Sequence, residues 1–183
     1  MIDGQLRPSG VNAEYVLKRM GEVAREDYLP VAVRNIAYMD RAIALDNGGW
    51  LPAPLVQGMM LQEANPRPGD RVIVVDSGSG YLAALVRPLV REVTELSPQD
   101  ALGAGGESEG ATLLLIDGAA EQIPAPLLAR LADGARIVAG TSDNGVTRLA
   151  VGLHNAGSAA MLPVLDLGIP PIAAFDKPKG WSF

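Results

Sequence analysis

Apolar and polar positions change rhythm several times along this chain, and those changes divide it into elements. In AEYVLKRMGEVA, Val16, Leu17, Met20, Val23 and Ala24 recur at the spacing of one helical face. Asn12 stands where an N-cap is expected, and Glu14 falls in the first turn, where the helix dipole favours an acid. A second helix is predicted for PLVQGMMLQEA, with Pro54 in its first turn and Pro66 beyond its end. Met59 and Met60 read there as core filler. After the turn PRPGD, RVIVV is a continuous apolar run, the pattern of a strand buried on both faces. It passes through DSGSG into the helical stretch YLAALVRPLV, whose last turn Pro88 disturbs. REVTEL, ATLLLID and ARIVAG read as further strands, with APLLARLA a helix between the last two. TRLAVGL and AAMLPVLDL, separated by HNAGS, read as an antiparallel hairpin. SPQDALGAGGESEG has no periodicity and reads as a loop.

Strands alternating with helices and ending in a hairpin predict an α/β fold, a doubly wound and mostly parallel sheet with a C-terminal antiparallel hairpin. A chain of 183 residues, 48% hydrophobic, can bury the core of one such domain. Residues 1–68 read as a helical cap and substrate-side segment, and 69–183 as a Rossmann-like core. A ligand of this kind of sheet lies beyond the carboxyl ends of its strands. That rule points to Asp76, Ser77, Gly78, Ser79, Gly80 and Tyr81.

Composition removes several alternatives. A net charge of −6 argues against nucleic-acid or anionic-membrane binding as a main role. With no cysteine, disulfides, thiolate nucleophiles and zinc–sulfur sites are excluded. The single histidine, His154, reads as a loop or surface residue, so no histidine metal cluster and no Ser-His-Asp set is expected. No apolar run reaches the length of a membrane span, and the start MIDGQLRP lacks the order of a signal peptide. A cytoplasmic protein is the expectation.

A glycine turn after a central strand brings backbone close to a ligand and aims helix N-terminal amides at it. Here Gly78-Ser79-Gly80 lacks the third glycine of a dinucleotide fingerprint, and a plain strand-to-helix turn is the competing explanation. No Gly-Lys-Ser or Gly-Lys-Thr follows, so it is not a P-loop.

Further segments are more specific. MIDGQLRPSGV, AYMDRAIAL and IDGAAEQIPAPLLARLADGARIV, in this order around GSGYLAAL, together with the ending FDKPKGWSF, resemble the protein-L-isoaspartate O-methyltransferase family. The resemblance implies a class I methyltransferase fold, S-adenosylmethionine as cofactor, and methyl transfer to the carboxylate of isoaspartyl residues in damaged proteins or peptides. It implies cofactor contacts from Asp76 to Tyr81, from Glu95 or Ser97 towards the ribose, and from Asp117, Gly118 and Ala119 on the other side. In that family the substrate carboxylate is itself the nucleophile, so no catalytic residue is nominated.

The departures from the family matter as much. Its turn reads roughly E-x-G-x-G-x-G-Y; anchoring on Gly80 and Tyr81 puts Val74 at the acid and Asp76 at the first glycine. In a competing register Asp76 is the strand acid, Gly78 and Gly80 are the first two glycines, and Leu82 stands at the third. Ser97 falls where the family has a ribose-binding acid, with Glu95 two residues earlier on the same strand face; a bulge there could restore Glu95. Pro52 occupies the place of a hydroxyl residue beside the transferred methyl group. SPQDALGAGGESEG is too short for the usual helix and strand, so the third strand is expected to be missing and REVTEL to be an edge. Thr112 stands where an aspartate commonly precedes the following strand, and Ala135 replaces the second glycine of a later turn.

These changes point one way. They predict a degenerate member with weak or no cofactor binding, acting through protein contacts or regulation, with a homo-oligomer or a partner at the exposed sheet edge. An active carboxyl methyltransferase is the alternative, and another small ligand in the remodelled cleft is a third reading. Trp50 and Trp181 are candidate interface anchors or partly buried structural residues.

Overall fold

A computed structural model describes residues 1–104 and 110–178. Helix α1 (Glu14–Glu22) buries Val16, Leu17 and Met20, as the periodicity predicts. It starts one residue later than expected: Ala13 is the N-cap, and Asn12 makes no side-chain cap. Val23 and Ala24 lie beyond its end. Gln62 does the capping work instead, its Oε1 accepting from the N–H groups of Asn12 and Ala13. Helix α2 (Pro54–Ala64) has the predicted bounds, and Asn65 ends it in the left-handed conformation before Pro66. Met60 is buried and Met59 packs against the same core.

Two short strands that the pattern does not reveal, β1 (Ile43–Ala44) and β2 (Trp50–Leu51), pair antiparallel before α2. Strand β3 (Arg71–Val75) leads into α3 (Tyr81–Val86), which tightens into a 3₁₀ turn at Arg87–Leu89 where Pro88 ends the α ladder. Strands β4 (Glu92–Leu96), β5 (Ala111–Ala120), β6 (Leu131–Asp143), β7 (Val146–Asn155) and β8 (Ser158–Asp166) complete a sheet in the order β4-β3-β5-β6-β7-β8. From β4 to β6 the pairs are parallel, and β7 and β8 are antiparallel.

Among the described residues no strand lies outside β4, so the third strand of the usual order is missing as expected. The segment after β4 forms only a 3₁₀ turn at Asp100–Leu102. Helix α4 (Ala125–Leu128) is shorter than APLLARLA suggests, because Leu131 pairs with Ala111 and the chain has already entered β6. His154 corrects the expectation of a loop or surface residue: it lies on β7, is buried, and its Nδ1 contacts the Ala132 carbonyl at 2.9 Å.

The sheet separates two cores. On one face β3, β5 and β7 meet α1, α2 and α3 through Val72, Val74, Leu113 and Leu149. On the other, Ile73, Leu114, Ile116 and Ile137 meet α4 and the C-terminal segment through Leu127, Ile172 and Phe175. Thr112 has a structural use at the amino ends of these strands, where its hydroxyl donates to Asp70 at 2.9 Å and accepts from the Arg71 N–H. Ala135 is buried inside β6, and the preceding Gly134 takes the positive φ. No helix among the described residues is long and apolar enough to cross a membrane.

Candidate functional site

The carboxyl ends of β3 and β4 frame the glycine turn, and Asp76 closes it from within. Its Oδ1 accepts from the backbone N–H groups of Gly78 and Ser79, both at 2.5 Å, and of Gly80 at 3.1 Å. Its Oδ2 accepts from the Ser79 hydroxyl at 3.0 Å, and that hydroxyl in turn accepts from the Tyr81 N–H. Successive amides that converge on one point form an anion-binding concavity. Here the anion is part of the chain.

Gly78 (φ +103°) and Gly80 (φ +72°) supply the left-handed backbone that makes the amides converge, whereas Asp76 needs no such conformation. The β1–β2 loop then seals the outer side. A Cβ on Gly78 would lie 1.9 Å from Asn47 Nδ2, and one on Gly49 would lie 1.7 Å from the Ser77 carbonyl oxygen. Asn47 also accepts from the Gly49 N–H at 2.9 Å, which fixes the loop tip.

The ribose candidates are engaged elsewhere. Glu95 is half-exposed on β4 and ion-paired to Arg87. The pairing of β3 with β4 is uninterrupted from Arg71↔Glu92 to Val75↔Leu96, so no bulge carries Glu95 forward. Ser97 donates to Asp100 Oδ2 at 2.7 Å and accepts from the Asp100 N–H at 3.1 Å, capping the 3₁₀ turn. A cleft of about 330 Å³ still brings Asp76, Gly78, Ser79, Gly80, Glu95, Leu96 and Ser97 together. A second cleft of about 330 Å³ lies between Trp50, Ser77, Gln99 and Ile172, beneath the β1–β2 loop. Trp50 thus lines a cleft, while Trp181 lies outside the described residues.

Asp117, Gly118 and Ala119 line neither cleft. They are buried, and the segment after β8 crosses them: the Ala119 N–H donates to the Pro170 carbonyl, and the Ile172 N–H to the Ala119 carbonyl, each at 2.8 Å. Gly118 has no room for a side chain, since a Cβ would meet Ile172 at 2.6 Å. Tyr81 is also fully buried, its ring edge-on to Tyr28 at 5.2 Å.

Behind the turn runs a polar chain that the sequence pattern does not reveal. Arg25, in a 3₁₀ turn after α1, is fully buried and donates to Ala37 O at 2.8 Å, to Pro52 O and to Gln57 Oε1. Its guanidinium carbon lies 5.0 Å from the centre of the Tyr81 ring. Gln57 on α2 passes the chain on, its Nε2 donating to Asp117 Oδ2 at 2.7 Å. Asp117 Oδ1 and the Tyr81 hydroxyl have no partner among the described residues. Burial, reinforced by the charge of Asp76, pushes the Asp117 carboxyl well above its ordinary range. Burial likewise raises the Tyr81 phenol to about 12 and lowers the Arg25 guanidinium. Pro52, at the place of the expected hydroxyl residue, contributes its carbonyl to Arg25.

The sequence model described as "Protein-L-isoaspartate(D-aspartate) O-methyltransferase (PCMT)" matches residues 1–98. The chain is 34% identical to protein-L-isoaspartate O-methyltransferase 2 of Anaeromyxobacter sp. (strain Fw109-5), an alignment covering 82% of this chain and 72% of that protein. It is 30% identical to the protein-L-isoaspartate O-methyltransferase of Herpetosiphon aurantiacus, with 78% and 75% covered. Its fold superposes with a TM-score of 0.75 and 18% identity on a Plasmodium falciparum protein assigned as a protein-L-isoaspartate O-methyltransferase and crystallised with S-adenosyl-L-homocysteine, covering 92% of this chain and 95% of that one.

Proposed function

This chain belongs to the protein-L-isoaspartate O-methyltransferase family, and on that premise we propose that it is a member whose S-adenosylmethionine site has been closed from within, leaving the fold to act through protein contacts or regulation. The observation that carries this reading is the carboxylate of Asp76 seated on the amides of Gly78, Ser79 and Gly80. Those are the donors a glycine turn offers to a cofactor, and here they are satisfied before any ligand arrives. A ligand carboxylate entering the turn meets a like charge as well as occupied donors.

The rest of the site supports the same reading. Arg87 neutralises Glu95, Ser97 caps its own turn, and the residues around Asp117 are roofed by the Pro170–Ile172 segment. The residues present therefore do not fit the cofactor in the family's manner. A charge-assisted hydrogen bond is worth roughly 1.5–3 kcal/mol, and each ~1.4 kcal/mol is tenfold in affinity. Losing such bonds at the turn and at the ribose takes a micromolar site to millimolar.

One observation favours a second reading, an active S-adenosylmethionine-dependent enzyme methylating isoaspartyl carboxylates. The cleft beside Asp76 and Glu95 persists at about 330 Å³, at the lower end of ligand-sized pockets. There Asp76 and Glu95 would be acceptors for a ligand's ammonium and hydroxyl groups. Calorimetric titration with S-adenosylhomocysteine separates the two readings. The closed-site reading expects no micromolar binding by the unmodified chain and measurable binding by Asp76→Gly. Micromolar binding by the unmodified chain, with methyl ester formed on an isoaspartyl peptide, overturns it.

A further inference from the structure

The sequence holds two Asn-Gly pairs, Asn47-Gly48 in the β1–β2 loop and Asn144-Gly145 at the tip between β6 and β7. Such a pair carries a chemistry of its own, because glycine has no side chain to shield the backbone nitrogen that lies next to the asparagine carboxamide. All four residues are exposed, and a Cβ on Gly48 or Gly145 would meet nothing within 4 Å. Crowding therefore does not separate the two pairs. Hydrogen bonding does.

At Asn47 both reacting groups are held. The Gly48 N–H donates to the Leu45 carbonyl at 3.1 Å. Asn47 Oδ1 accepts from the Gly49 N–H at 2.9 Å, and its Nδ2 donates to the Gly78 carbonyl at 3.4 Å, which fixes the carboxamide. Attack there has to break these bonds and loosen the loop from the glycine turn. At Asn144 far less stands in the way. Asn144 (φ +50°) and Gly145 (φ +79°) join Asp143 to Val146, the positive-φ pair of a tight hairpin. The Gly145 N–H has no hydrogen-bond partner among the described residues. The Asn144 carboxamide is tied to its own neighbour, Nδ2 donating to Asp143 Oδ1 at 3.1 Å. An exposed hairpin tip also opens locally at little cost.

We propose that Asn144 is a spontaneous modification site of this chain, deamidating through a cyclic imide, while the fold protects the identical pair at 47–48. The Gly145 nitrogen bonds to Asn144 Cγ, the Cγ–Nδ2 bond breaks, and ammonia leaves with the proton of the attacking nitrogen. Water then opens the imide at either of its carbonyls. One product is aspartate. The other is an isoaspartyl residue, in which the main chain runs through the former side chain. Either product adds a carboxylate beside Asp143 to a chain already at net charge −6. The isoaspartyl form also lengthens the main chain by a methylene group, which no longer matches the two-residue turn between β6 and β7. None of this depends on the state of the cofactor cleft.

The test follows the full chain, kept folded at mildly alkaline pH, where the attacking nitrogen loses its proton more readily. Samples taken over time are digested under acidic conditions and read by mass spectrometry, with fragmentation that tells aspartyl from isoaspartyl residues. Asn144 is expected to convert to both products, and Asn47 at least about tenfold more slowly, since the bonds that hold it add to the barrier. In urea, where neither turn is formed, the two sites are expected to convert at similar rates. Gly49→Ala, whose methyl group meets the Ser77 carbonyl and lifts the loop, speeds position 47 and leaves position 144 unchanged. Should that variant fail to fold, the unmodified chain in buffer and in urea still decides. Asn144 intact in the folded chain while it converts in urea, equal rates at the two sites in the folded chain, or a folded Gly49→Ala variant in which position 47 stays as slow as before overturns the assignment.

Discussion

Gln57 donates to one oxygen of Asp117 at 2.7 Å, while the other oxygen of that carboxyl stays buried without a partner. A carboxyl whose folded pKa lies above its unfolded value of 3.8 keeps its proton in the folded chain after the unfolded chain has released it. Its contribution to stability is complete below that value and is lost as pH rises towards the folded pKa. Asp117→Asn removes the titration and keeps an acceptor for Gln57. Thermal melts from about pH 4 upward are expected to show a loss of stability with rising pH that the variant lacks, leaving the variant ahead by on the order of 1 kcal/mol, about 2–4 °C, once the wild-type carboxyl has ionised. Equal slopes for the two proteins would count against a protonated Asp117.

Arg25 reaches Ala37, Pro52 and Gln57 from a fully buried position and also faces the Tyr81 ring. Truncation to alanine strands those acceptors and leaves Asp117 with less positive potential. Urea denaturation of Arg25→Ala is expected to show a loss of roughly 3 kcal/mol. Arg25→Lys should recover little, because an ammonium on a single stem cannot match the planar fork. A loss below about 1 kcal/mol would mean that the polar chain adds nothing beyond packing.

Asp76 holds the glycine turn in the absence of any ligand, so its removal has a stability signature as well as a binding one. Asp76→Ala frees the amides of Gly78, Ser79 and Gly80 and is expected to cost roughly 1–3 kcal/mol. Asp76→Asn keeps one acceptor oxygen and should cost less. Melting both variants with and without sulfate adds a check. Stabilisation of the alanine variant alone by the anion is expected, because only there is the concavity empty.

The two glycines of the β1–β2 loop should separate cleanly. Gly48→Ala meets nothing within 4 Å and suffers only its positive φ, a cost of about 1 kcal/mol. Gly49→Ala drives a methyl group into the Ser77 carbonyl and must lift the loop off the turn. Limited proteolysis is expected to cut residues 43–51 faster in the second variant than in the first. Equal rates would mean that the loop does not rest on the turn.

Much of the scaffold was legible because its signals are local. RVIVV announces a strand buried on both faces, and Pro54 and Pro66 bracket α2. The shortness of the segment after β4 revealed the missing strand and the bare edge. Both registers of the glycine turn drew attention to Asp76. What its carboxylate does there was not legible, since that depends on the path of the residues after it. Arg25 and Gln57 escaped for a related reason, and Asp117 was named as a cofactor contact without its link to Gln57. Apolar periodicity marks which face is buried, and it is silent on polar groups that find one another across 32 and 60 residues of sequence. His154 was misplaced because HNAGS looks like a loop, although β7 runs on to Asn155. The strands β1 and β2, two residues each, are too short to carry a rhythm.

The turn that Asp76 fills has a further consequence for any free carboxylate. A tethered group acts at an effective concentration set by its tether, and short tethers reach the millimolar range or beyond. A solute carboxylate therefore competes with a rival that never diffuses away, and its apparent affinity is divided down accordingly. Raising the solute concentration removes that handicap only slowly, whereas one substitution at position 76 removes it at once. The turn behaves as an occupied receptor whose occupant is encoded in the same chain.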